Sequence, residues 1–153
     1  MSKKLIYICG DVQLKDQALN YLNTTREDVI TIQNNVASDL QPFGSVVKSI
    51  LVSSYNENIT DVYIVVSQIE KNEIHATKMR DWLENEGIDK ETFEIFDYLD
   101  KFSNHTLSDW LSVNNVEITL NKNLTMLKTH PFLPKKLSFK GLLLNEQQEF
   151  TII

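Results

Sequence analysis

At 153 residues, 42% of them hydrophobic and 24% charged, the chain has the composition of one globular domain, residues 1–153, with a full core. Its 21 Asp and Glu outweigh 15 Lys and Arg, giving a net charge of −6 without a basic block, which argues against nucleic acid and anionic membrane as partners. A lone cysteine excludes an internal disulfide, no apolar run reaches the roughly 18 residues of a membrane span, and Met1-Ser2-Lys3-Lys4 leads into a short strand rather than a signal segment, so the expected location is cytoplasmic.

In chain order, Leu5 to Cys9 reads as a buried strand, Asp16 to Leu22 as a short helix and Val29 to Ile32 as a second strand. Pro42-Phe43-Gly44-Ser45 is a helix start signal, and Val46, Val47, Ile50, Leu51 and Tyr55 follow at helical spacing. Val62 to Val66 is a continuous apolar run, the pattern of a strand covered on both faces. A polar helix from about Glu73 to Asn85 stops at Gly87, and Phe93 to Phe96 reads as a short strand. This β-α-β-α-β-α-β order predicts an α/β domain with a central, mainly parallel sheet flanked by helices. The tail breaks the alternation. Val116, Leu120, Leu124 and Leu127 form a helical stripe ended by His130-Pro131, and Leu137 to Phe139, Leu142 to Leu144 and Phe150 to Ile153 read as three short strands.

Cys9 stands at the exit of the first strand, two residues before Asp11, at the end of an open α/β sheet where ligands and chemistry gather. The run Cys9-Gly10-Asp11-Val12-Gln13 resembles the Cys-x-Asp-x-Arg motif of the β-class carbonic anhydrases, with Gln13 where the motif has Arg. Asp28 to Asn35 is similar to the family's segment around its second strand, with Gln33 where Arg is usual and Val36 where Gly is usual. Phe43 to Leu51 is similar to the helix that follows. Leu127-Lys128-Thr129-His130-Pro131-Phe132-Leu133-Pro134 resembles the family's "L-x-x-H-P-x-I-P" helix end, and Phe139 to Leu143 its "V-x-G-x-x-Y-D" strand. The resemblance spans nearly the whole chain and comes closest to the shorter bacterial members, which begin at the first strand.

What the resemblance implies about chemistry is a site that has been taken apart. The family binds a catalytic zinc through two cysteines and a histidine, the last two in a His-x-x-Cys pair after the third strand, where this chain has Gln68-Ile69-Glu70-Lys71. Catalytic zinc needs three protein ligands and an open position to lower the pKa of its water to about 7. An amide is a weak zinc ligand, and a protonated lysine offers no lone pair. Neutral Gln13 cannot form the ion pair through which the family's arginine orients the aspartate. Cys9 and Asp11 are too few donors for a tight tetrahedral site.

Other residues have plainer readings. Free cysteine is among the most buried residue types, so Cys9 also reads as a packed, inert thiol. His75, His105 and His130 read as surface or capping residues rather than replacement ligands, and Trp82 and Trp110 as core or interface anchors. The acidic helix around Asp81, Glu84 and Glu86 reads as a solvated face, and the four Asn-x-Thr sequons at Asn23, Asn58, Asn104 and Asn123 as chance.

The expected molecule is thus a β-carbonic anhydrase-like homodimer without zinc or hydratase activity, with no cofactor. Its homodimer would form through Phe43 and the helix from Val46 to Tyr55. Its role would be binding or regulation at a crevice lined by Cys9, Asp11, Gln33, Gln68 and Lys71, with a small anion as ligand; Asp11 and Gln13 would be catalytic vestiges and Cys9 a metal-site vestige. The enzymatic alternative is a carbonic anhydrase, a zinc lyase, with a rearranged metal site. If Lys71 reaches the vacated metal position, Cys9 should titrate below the roughly 8.5 of a free thiol.

Overall fold

The computed structural model describes residues 2–68, 76–100 and 115–153. These fall into two compact units, residues 1–69 with 115–153 and residues 70–114, each taken here by itself.

The first unit is built on a five-stranded sheet. Strand β1 (Lys3–Cys9) is followed by helix α1 (Val12–Tyr21), a single 3-10 turn at Arg26–Asp28, strand β2 (Val29–Asn34), helix α2 (Ser45–Asn56) and strand β3 (Ile59–Ser67). After the second unit come helix α5 (Val116–Thr129) and strands β4 (Ser138–Leu144) and β5 (Phe150–Ile152). The strands lie in the order β2-β1-β3-β4-β5, parallel except for the antiparallel β4–β5 pair. The central strands are apolar on both faces because helices cover both. Ile6, Ile8, Tyr63, Val65, Leu142 and Leu144 pack with Leu14, Ala18 and Leu19 of α1. The alternate residues turn to the opposite face, where Gly141 lies under Leu120 of α5. A Cβ at Gly141 would stand 2.9 Å from Leu120 Cδ2, so glycine is what lets α5 approach β4 so closely.

Local signals explain most boundaries. Helix α1 starts four residues earlier than Asp16 because Asp11 caps it, and it ends in a Schellman turn: Thr24 N–H donates to Leu19 O, with Asn23 in the left-handed region at φ 49°. Leu137 to Phe139 and Leu142 to Leu144 are not separate strands. They join in β4, whose register with β3 runs unbroken from Asp61–Ser138 to Ser67–Leu144, with Gly141 inside it. Asn123, inside a sequon, is buried: its side chain accepts from Leu40 N–H at 2.9 Å and donates to Ser38 O at 3.0 Å, tying α5 to the stretch ahead of α2.

The second unit contains helices α3 (Ala76–Asn85) and α4 (Lys90–Asp100). The expected stop at Gly87 is present as a left-handed residue, φ 101°, closing α3 with Ile88 N–H donating to Leu83 O. The expected strand at Phe93 to Phe96 is wrong. Asp89 caps α4 by accepting from Thr92 N–H and Oγ1, and the run Phe93 to Phe96 lies inside the helix with Phe93 buried. A cap outweighed a short β-like run. Glu73 and Trp110 lie outside the described residues, while Trp82 is exposed.

Candidate functional site

Parallel pairing sets the carboxyl ends of β1, β2 and β3 side by side. Cys9 is in register with Asn34, and Ile8 with Val65, so β3 leaves the sheet at Ser67-Gln68 next to the exit of β1. Three hydrogen bonds then fix the exit. Gly10 N–H donates to Asn34 O at 2.8 Å, Gln33 Nε2 donates to Gly10 O at 3.1 Å, and Asp11 Oδ1 accepts from Leu14 N–H at 3.0 Å. Gln33 and Asp11, both assigned to the crevice from sequence, thus have structural work: one ties β2 to the turn after β1, the other satisfies an orphan N–H of α1.

Cys9 is closed in. It is only 7% exposed and shares its face of β1 with Tyr7, which is fully buried. Asn34 Nδ2 donates to the Tyr7 hydroxyl oxygen at 2.7 Å, and that hydroxyl is in turn hydrogen-bonded to the Cys9 thiol. Burial pushes the thiol up to about 12, with the Tyr7 hydroxyl opposing weakly. Burial also raises the Tyr7 phenol, reinforced by the neighbouring thiol charge. Both groups are therefore neutral at pH 7; the lowered Cys9 pKa expected beside Lys71 turns on a residue outside the described ones. Desolvation dominates.

Gln68 is exposed, with its backbone N–H donating to Leu144 O at 2.8 Å. Gln13 is exposed on the first turn of α1. Lys71, His75 and His105 lie outside the described residues. His130 caps the end of α5 and is buried; its Nε2 meets Pro42 O at 2.6 Å and its Nδ1 accepts from Phe132 N–H at 3.2 Å. Both ring nitrogens are committed within the fold, which bears out the capping reading. Among the described residues no group of three or more His, Cys, Asp and Glu could hold a metal ion, and the one thiol there is packed against a phenol. Those residues do not fit a zinc site. Sequence reasoning missed Tyr7 and Asn34. The signals were Tyr7 at i−2 on the same strand face as Cys9, and an amide at the matching exit of the second strand.

No protein-family model matches the chain. It is 27% identical over 130 residues to the carbonic anhydrase-like protein YbcF of Bacillus subtilis, an alignment covering 82% of this chain and 71% of that protein. Among solved structures, β-carbonic anhydrase isoform I of Trichomonas vaginalis superposes with a TM-score of 0.73 at 20% identity, over 98% of this chain and 81% of that one. A carbon disulfide hydrolase superposes with a TM-score of 0.67 at 13% identity, over 98% and 77%. One fold thus carries proteins named for two different reactions, so the scaffold alone does not decide activity. Strand order and superposition give this chain the fold of the β-carbonic anhydrases, and its sequence is similar to that of carbonic anhydrase-like proteins of Bacillus subtilis.

Proposed function

We propose that this protein has lost zinc and hydratase activity and serves a binding or regulatory role, taking a small anion in the crevice at the ends of β1, β2 and β3. The observation that carries the reading is the closed state of Cys9. The one residue left from the family's ligand set is buried and hydrogen-bonded to Tyr7, and among the described residues no group of His, Cys, Asp and Glu stands with it to share a metal ion. Asp11 Oδ1 is engaged in the α1 cap. Gln68 and Lys71 stand where a histidine and a second cysteine would complete the site, and an amide with an ammonium suits an anion better than a cation.

In this reading Lys71 supplies the positive charge, Gln68 an amide donor, and Cys9, Asp11 and Gln33 form the floor. Exposed Phe43, Val52 and Tyr55 support a homodimer built on the α2 side. No described helix is long and apolar enough to cross a membrane.

Stopped-flow measurement of carbon dioxide hydration, with and without added zinc, tests the reading. The rate should stay at the uncatalysed level in both cases. Turnover that small anions or sulfonamides inhibit would favour an enzyme with a rearranged metal site.

A further inference from the structure

Charge is divided unevenly along the chain. Residues 70–114 hold 11 Asp and Glu against 5 Lys and Arg, whereas the rest of the sequence holds 10 of each, so the whole net charge of −6 belongs to the segment that carries α3 and α4. Within it, α4 buries Phe93, and the Arg80 guanidinium of α3 lies 4.7 Å from that ring's centroid. Residues two places from Phe93 fall on the far side of the helix. Glu91, Glu94, Ile95 and Tyr98, at i, i+3, i+4 and i+7, accordingly make one stripe, and all four are exposed. Ile95 is 60% and Tyr98 62% exposed, in the middle of the most acidic part of the chain.

The geometry points to this stripe of α4 as a docking surface for a basic amphipathic helix of another protein. Its apolar side chains would cover Ile95 and Tyr98, and its lysines or arginines would meet Glu91 and Glu94. Charge selects that occupant over the others. A second copy docking through the same face would bring two segments of charge −6 together, and the rest of the chain, with 10 charges of each sign, has no net positive charge to meet it. Nucleic acid and anionic lipid carry the same sign as the stripe and are repelled. The stripe shares no residue with the strand-end crevice, so the two proposals stand or fall separately.

Binding of a fluorescent leucine–lysine amphipathic helix to the full-length protein, followed by anisotropy, tests the inference. Glu91→Lys/Glu94→Lys and Ile95→Ser should each weaken binding by about tenfold or more, and binding to the parent should weaken as salt is raised. Glu27→Lys/Glu146→Lys changes net charge by the same amount on the other unit and should leave binding within a factor of about two. Circular dichroism confirms that each variant is folded, and Glu94→Gln serves if the double lysine variant is not. Equal weakening by both double variants would reduce the effect to overall charge and overturn the proposal. No binding of the peptide by the parent, or equal binding of a leucine–glutamate helix, would overturn it as well.

Discussion

Tyr7→Phe removes a single hydroxyl from the floor of the strand-end site, and the structure sets what that should cost. The ring is fully buried and stays so; only the oxygen that accepts from Asn34 at 2.7 Å and bonds the Cys9 thiol is lost. A typical intramolecular hydrogen bond contributes about 1 kcal/mol net, rising to about 3 kcal/mol where a buried partner is left unsatisfied. Asn34 is exposed and can turn to water, and a thiol bonds weakly, so the lower figure applies. About 1 kcal/mol should move the urea midpoint down by roughly 0.3–1 M at unchanged m value. Alkylation of Cys9 at neutral pH should be slow in the parent, because the thiol is buried and protonated, and should quicken by about fivefold in the variant if it proceeds through global opening. An unchanged midpoint with an unchanged alkylation rate would refute the Asn34–Tyr7–Cys9 chain of bonds. Fast, complete alkylation of the folded parent would refute the closed thiol itself.

Four further outcomes follow from the same structure. Asp11→Ala should cost about 1 kcal/mol through loss of the α1 cap, read as a fall in thermal midpoint, with Asp11→Asn retaining most of the stability. Gly141→Ala should cost about 1–3 kcal/mol by driving a methyl into Leu120, and less in a Leu120→Ala background, so a double-mutant cycle should show coupling rather than additivity. Folding raises the Cys9 thiol from 9.0 to about 12, so its contribution is fully present below pH 9 and fades by about 1.4 kcal/mol per unit as pH rises towards 12. The raised Tyr7 phenol acts in the same direction from its ordinary value upward, and denaturation curves across that window should flatten in Cys9→Ala. Sedimentation equilibrium at micromolar concentration should give twice the chain mass, with Tyr55→Glu shifting it towards the monomer.

The centre of the sheet was legible because β1 and β3 are buried on both faces and so read as continuous apolar runs, while Gly87 and His130-Pro131 mark where helices end. Two features defeated the pattern. In α4 the run Phe93 to Phe96 suits a short strand by its aromatic and β-branched composition, and the Asp89 cap that decides the matter is one residue. In β4 the glycine that looks like a break is a contact point for Leu120, visible only once α5 is in place. At the site, the strand exits were legible, but the structural bonds of Asp11 and Gln33, to backbone groups three and twenty-three residues away, were not. The Asn34–Tyr7–Cys9 chain of bonds joins two strands, so only its Tyr7–Cys9 half lies within a local pattern.

The central claim is that the vestigial ligand set holds no zinc. Elemental analysis of the purified protein, dialysed against a weak chelator after incubation with excess zinc, tests it most directly. A trace far below one zinc per chain is the predicted result, with the Cys9 thiol still titratable on unfolding. Close to one zinc per chain, lost in Cys9→Ala, would contradict the account.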